Sequence, residues 1–191
     1  MCNYTTDYKS KVYYPGVKYT STYSGIFEIL GKDTARKNHY VVKFLDTGTV
    51  KSFSTSSVGQ RCIRDPYAKT ILGVACLGEG KYLTKNNGKM TKEYTTWSDM
   101  LRRCYGKNIE ECYRNTRVSD RWLNFQNFCE DIVELPGYSL WKTNNRYALD
   151  KDKLQMGVTN KIYSKDTCMF ITCGENSSIA NNGRDYGRLK G

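Results

Sequence analysis

Residues 147–182 read YALDKDKLQMGVTNKIYSKDTCMFITCGENSSIANN. Tyr147 to Asp150 is a short extended run. Lys151-Asp152-Lys153 then concentrates charge, and Gln155 to Asn160 carries the turn formers Gly157 and Asn160. Thr167 to Thr172 is a second apolar run that reads as a strand. Thr172 opens a helix, with Glu175 three residues on as the other half of a capping box. The order is strand, long turn, strand, helix, with lysines and aspartates gathered in the turn. That is the layout of a ββα nucleic-acid module.

Upstream, Thr95 or Thr96 is the expected start of a helix, with Thr96 and Asp99 as an approximate capping box. Trp97, Met100, Leu101 and Cys104 recur at helical spacing on one apolar face. Arg102 and Arg103 lie off that face. They read as phosphate contacts or as a solvated face near a helix C-terminus, where the dipole favours cations. Lys107 to Arg117 is polar and reads as loop. Ser119 is a plausible N-cap for a second helix whose stripe is Trp122, Phe125, Phe128, Cys129 and Ile132, ending before Pro136-Gly137. Core packing is the reading of that stripe, and the two helices are expected to brace the ββα unit.

The first 80 residues have a different texture. Residues 1–15 form an arm in which Lys9, Lys11, Tyr13 and Tyr14 read as phosphate-backbone contacts or as an ordinary first strand. Val17 to Tyr19, Gly25 to Leu30, Tyr40 to Leu45 and Val50 to Phe53 are β-prone, with Asp46-Thr47-Gly48-Thr49 as a turn. Short strands so closely spaced predict a small curled barrel of the Src-homology type, a fold that does not choose a function. Asp65-Pro66 stops this region, since the residue before Pro is pushed out of the helical region. Ile71 to Leu77 reads as a strand or buried linker, and a boundary is expected near residue 80. The predicted class is α+β: residues 1–80 form a β-barrel-like domain with a linker. Residues 81–191 hold the helical brace, the ββα unit and a basic, Gly-rich tail.

Formal net charge is +11, with +5 carried by residues 1–80 and +6 by residues 81–191. Charge spread this way favours polyanionic partners, nucleic acid first, over a single basic tail. Sixteen tyrosines add flat groups able to stack on bases, although most of them read as core or sheet residues. No stretch approaches the roughly 20 apolar residues of a membrane span. The N-terminus lacks an apolar signal region, so a cytoplasmic protein with reduced thiols is expected. Among the eight cysteines there is no CxxC pair, and His39 is the one histidine. Cys104, Cys112 and Cys129, or Cys168 and Cys173, read more readily as thiols than as zinc ligands. His39, beside Lys37, Asn38 and Tyr40, reads as a solvated turn histidine.

Leu149-Asp150-Lys151-Asp152, Gly157, Asn160-Lys161, Tyr163-Ser164, Thr167-Cys168, Phe170 and Asn176 together resemble phage-encoded proteins of the HNH homing-endonuclease type. Trp97-Ser98-Asp99-Met100-Leu101-Arg102-Arg103-Cys104-Tyr105, Trp122-Leu123-Asn124-Phe125-Gln126-Asn127-Phe128, Asp65-Pro66-Tyr67 and Gly73-Val74 extend the resemblance over roughly residues 60 to 182. It implies bacteriophage origin, a host-cytoplasmic location and a ββα-metal nuclease scaffold. Such a scaffold uses a histidine base and one divalent metal. The resemblance also exposes gaps. The expected histidine just before Leu-Asp-Lys-Asp is Ala148. The position after Asp150 is Lys151, and the middle asparagine is Thr167. Asn176 alone keeps its expected type.

Asp150 and Asp152 remain weak catalytic candidates. Their spacing places both on one face of a continuing strand, where they would hold magnesium if the protein cuts. An ion-paired turn with Lys151 and Lys153 is the favoured alternative. The leading expectation is an HNH-like protein that binds duplex DNA and has lost cleavage. Lys151, Lys153, Lys161, Lys165, Arg184 and Arg188 are its phosphate contacts, extended by Arg102 and Arg103. The alternatives are a magnesium-dependent nickase using Asp150, Asp152 and Asn176, and an inhibitor that contacts a host enzyme or defence nucleoprotein.

Overall fold

The computed structural model describes residues 12–179, which form a mixed α/β protein. These residues divide into two compact units, one ending at Thr70 and the other beginning at Ile71. The sequence places that joint near residue 80. The shift has a packing cause: Ala75 is fully buried in the helical core, with Ile71, Val74 and Leu77 against it.

The N-terminal unit is an antiparallel meander of β1 (Lys18–Ser21), β2 (Gly25–Lys32), β3 (His39–Phe44) and β4 (Val50–Ser54), followed by the short helix α1 (Thr55–Gly59). The strands fall where β-prone residues cluster. Phe27 and Ile29 in β2, and Tyr40, Val42 and Phe44 in β3, point to one face because side chains alternate along a strand. With Tyr13, Val58 and Ile63 they make the core of the unit. Gly48, at φ +75°, turns the chain between β3 and β4. The register of β2 against β3 shifts between Ile29 and Gly31, a bulge that bends the strand. Pairing runs β1-β2-β3-β4, and the described strands do not close on one another. His39 begins β3, half-exposed, with Nδ1 2.9 Å from the Lys37 carbonyl.

The second unit opens with a small hairpin, β5 (Lys85–Asn86) and β6 (Lys89–Met90), and then α2 (Lys92–Tyr105). The helix starts before the expected Thr95 or Thr96. Thr91 is its cap, its hydroxyl accepting from the Tyr94 N–H at 3.2 Å. The predicted apolar face is buried as Trp97, Met100, Leu101 and Cys104. The polar stretch after α2 is not all loop. A 3₁₀ turn spans Glu111–Tyr113, and β7 (Arg117–Val118) pairs in parallel with β9 (Ile162–Tyr163).

The single helix expected after Ser119 is two pieces. A 3₁₀ turn covers Asp120–Leu123, Asn124 is extended, and α3 runs Phe125–Ile132. Cys76 causes the break, since its N–H donates to the Leu123 carbonyl and its own carbonyl accepts from the Phe125 N–H. The stripe is still core: Trp122, Phe125, Phe128 and Ile132 are fully buried. Trp122 also donates its indole N–H to the buried Asp131 carboxylate at 2.9 Å. Helix α4 (Tyr138–Thr143) sets Trp141 on Phe170 as a stacked pair 4.5 Å apart, worth about 1 kcal/mol beyond burial.

The strand–turn–strand–helix stretch folds as two paired strands and a helix. β8 (Tyr147–Asp150) and β10 (Met169–Thr172) are antiparallel, Asp150 opposite Met169 and Tyr147 opposite Thr172. Residues 173–179 are helical. Thr172 caps them by accepting from the Glu175 N–H, but the Glu175 carboxylate does not return to the cap; it binds Lys153 at 2.6 Å. Gly137, at φ +81°, lies against β10 where a Cβ would stand 2.1 Å from the Phe170 carbonyl oxygen, so no larger residue fits. Among the described residues no helix is long and apolar enough to cross a membrane.

Candidate nucleic-acid interface

The chain turns at the end of β8 because Asp150 makes it turn. Asp150 Oδ2 accepts from the backbone N–H groups of Asp152 and Lys153, at 3.0 and 2.7 Å. The strand therefore ends at Asp150, and the expected face shared by Asp150 and Asp152 does not exist. Asp150 is buried, and its Oδ1 has no hydrogen-bond partner among the described residues. Burial pushes its carboxyl above the ordinary range, with the Asp152 charge adding to the effect and the two backbone bonds opposing it.

Lys151 is buried, not presented to solvent. Its Nζ lies 2.8 Å from both Asp152 oxygens, 4.7 Å from the centre of the Tyr113 ring and 5.8 Å from that of Tyr163. The phosphate contact expected of Lys151 is thus corrected: its charge is spent inside the fold on a carboxylate and two ring faces. Asp152 also receives the Lys161 ammonium. Burial raises this carboxyl, but the hydrogen bonds from Lys151 and Lys161 outweigh burial and hold it below its ordinary value.

Gln155, which the sequence did not single out, closes the turn. Its amide donates to the Lys151 and Ile162 carbonyls at 2.6 and 3.0 Å and accepts from the Ile162 N–H at 3.0 Å. A glutamine in a polar turn carries no local signal for this role. Thr167 serves the next turn: its hydroxyl donates to the Ile162 carbonyl at 2.6 Å and accepts from the Ser164 N–H at 3.1 Å.

This donor set does not fit magnesium. Asp150 is buried with one oxygen, Oδ2, committed to backbone, Asp152 is neutralised by two ammonium groups, and Asn176 stands half-buried on the following helix. Among the described residues, no three His, Cys, Asp or Glu side chains gather to hold a metal ion. No disulfide forms among the described cysteines. Burial pushes Cys104 to about 11 and Cys168 to about 12, so both stay protonated.

The remaining cations face water. Lys153 pairs with Glu175 and Lys165 with Glu134, both at 2.6 Å across exposed surface. Such solvent-screened pairs are weak and yield readily to a phosphate. Arg184 and Arg188 lie outside the described residues.

A second cationic region runs along α2. Lys92, Thr96, Asp99 and Arg103 follow one another at helical spacing beside the buried stripe. Lys92 Nζ is fixed by the Trp141 and Asn144 carbonyls and by Asn145 Oδ1. Arg102 binds Asp99 at 2.8 Å. Arg103 is exposed, and its guanidinium lies 5.9 Å from the Tyr113 ring centre. Two clefts flank it. One, of about 390 Å³, is lined by Arg102, Arg103, Gly106, Lys107, Asn108, Glu110 and Tyr113. The other, of about 240 Å³, lies between α2 and β8 and includes Thr95, Thr96, Asn145, Tyr147 and Ala148.

No family model, curated protein or solved structure matches the chain.

Proposed function

We propose that this protein binds duplex DNA without cutting it, on an HNH-like ββα unit whose nuclease chemistry has been replaced by an internal ion-pair cluster. The observation that carries the reading is Asp152 held between Lys151 and Lys161. The half-buried Asp152 carboxylate is more than balanced by two ammonium groups, and at the surface Lys153 and Lys165 can exchange Glu175 and Glu134 for phosphates. A β8–β10 pair followed by helix at 173–179 supports the ββα assignment. The chain's +11 charge supports a polyanionic partner. Cleavage is disfavoured because the position expected to hold a histidine base is Ala148 and the carboxylates are otherwise engaged. The N-terminal meander, bent by its bulge, is read as an open form of a small Src-homology-type barrel.

The test is one gel. Pure protein is incubated with supercoiled plasmid at low salt, with magnesium or manganese in one set of lanes and chelator in the other. A mobility shift that weakens as salt rises, with the plasmid still supercoiled, is the expected result. Metal-dependent nicked or linear product restores the nickase reading. Absence of both shift and product moves the assignment to a protein partner.

A further inference from the structure

The two clefts on α2 share Arg103 as their common wall. Their linings differ in chemistry. The larger cleft gathers Arg102, Arg103 and Lys107 against a single carboxylate, Glu110. The smaller holds flat and hydrogen-bonding groups: Tyr147, half-buried, with Thr95, Thr96 and Asn145. We infer that together they form a site for one unpaired nucleotide, phosphate in the larger cleft and base in the smaller, with Arg103 between them. This rests on the DNA-binding reading above and adds to it a preference for DNA with a single-stranded element.

The electrostatics favour an anion in spite of the helix. The larger cleft lies at the C-terminus of α2, where the macrodipole amounts to about half a negative charge. With Arg102 paired to Asp99, the balance of Arg102, Arg103 and Lys107 against Asp99 and Glu110 is one positive charge, which outweighs that. Arg103 is well suited to the shared wall, because its planar guanidinium stacks on a ring as readily as it forks onto a phosphate. It already lies 5.9 Å from the Tyr113 ring centre.

The smaller cleft suits a base by size and by donors. About 240 Å³ is below the roughly 300–1,000 Å³ of sites for drug-sized ligands, which limits the occupant to a compact ring system. Asn145 Oδ1 is occupied by Lys92 Nζ at 3.2 Å, which orients the amide so that its NH₂ is left to donate. Base-edge acceptors such as purine N7 match such a donor. A base stacked within a duplex cannot enter a cleft of this kind, so the site selects an overhang, gap or extruded nucleotide.

The experiment compares two fluorescently labelled DNAs of one sequence, a blunt duplex and the same duplex with a three-nucleotide overhang, by anisotropy at low salt. The proteins are wild type, Arg103→Met, which keeps the aliphatic stem, and Tyr147→Leu, which keeps apolar bulk. Thermal unfolding of each variant checks the fold. Wild type is expected to bind the overhang about tenfold more tightly, the effect of one base–aromatic stack. Each variant should lose that preference; Tyr147→Leu should retain its blunt-duplex affinity to within about threefold, whereas Arg103→Met also weakens blunt-duplex binding by the loss of a phosphate contact. Equal affinity of wild type for both DNAs overturns this site and leaves duplex binding standing. An overhang preference that survives both substitutions also overturns it. If wild type binds neither DNA, the site and the DNA-binding reading fall together.

Discussion

Lys151 Nζ lies 2.8 Å from both carboxylate oxygens of Asp152, and the lysine side chain is 4% exposed. A lysine excluded from water is tolerated only with its charge matched, and Asp152 matches it. Removing Asp152 strands a buried ammonium. Asp152→Ala is expected to cost about 3 kcal/mol, the low end for breaking a buried pair, because Lys161 shows that one side of Asp152 is open to water. The double substitution Lys151→Met with Asp152→Ala should cost clearly less than the two single changes together. Urea unfolding of the three variants measures both quantities, and additive losses would refute the pairing as the dominant interaction.

The two aspartates of the turn should respond to pH in opposite senses. Asp152 is held below its ordinary 3.8, so its stabilising contribution is full above that value and is lost as pH falls through the lower folded value. Asp152→Asn should therefore destabilise at neutral pH, with the difference from wild type closing in acid. Asp150 is pushed above 3.8, so it binds its proton more tightly when folded. Its contribution to stability falls as pH rises from 3.8 through the folded value. Asp150→Asn keeps an oxygen for the two backbone N–H groups and should gain stability relative to wild type as pH rises. Thermal unfolding midpoints from pH 3 to pH 7 check both signs.

Phosphate contacts are read by salt. Glu substitution at Lys153, Lys165 and Lys107 should weaken binding to duplex DNA. It should also flatten the plot of log affinity against log salt by about 0.9 for each phosphate that is no longer neutralised. Lys151→Glu is excluded from such a series, because a carboxylate there would face Asp152 in a buried site. An unchanged slope for the triple variant would place the DNA elsewhere on the protein.

Magnesium should leave the protein's stability unaltered. Ligands that bind only the folded state raise the unfolding temperature by mass action. With Asp150 bonded to backbone and Asp152 to two lysines, millimolar magnesium is expected to shift the midpoint no more than the same ionic strength of sodium chloride. A specific upward shift, absent from Asp152→Asn, would argue for a metal site.

Thiol accessibility follows burial. Cys62, Cys112 and Cys173 are exposed and should react quickly with a thiol reagent at pH 8. Cys104, Cys129 and Cys168 are buried, with their thiols pushed up by burial, and should react only on unfolding. Mass spectrometry of partially labelled protein separates the two groups.

Local periodicity was legible. The β-prone runs holding Phe27 and Ile29, and Tyr40, Val42 and Phe44, fall on strands of the N-terminal sheet. The spacing of Trp97, Met100, Leu101 and Cys104 marks the buried face of α2. These patterns need only the geometry of one strand or one helix. Boundaries were less legible, since in sequence Thr96 has a capping-box partner in Asp99 and Thr91 has none. The hydrogen bond from the Tyr94 N–H to Thr91 is what selects between them.

What sequence alone determined is therefore the main strands and helices in outline, the apolar face of α2 and the positive charge of the whole. Each depends on neighbours within a turn or a strand, or on a simple count. The tertiary structure decided which charges are available. Lys151 and Lys153 are alike in sequence, two residues apart, yet one is buried against Asp152, Tyr113 and Tyr163 while the other reaches Glu175 at the surface. Cys76 splits a helical stripe at Asn124, and β7 finds β9 across a long loop, because hydrogen bonds between segments distant in the chain outweigh the propensity of either segment. Burial of charge is a property of what surrounds a residue, and those surroundings here come from three separate parts of the chain.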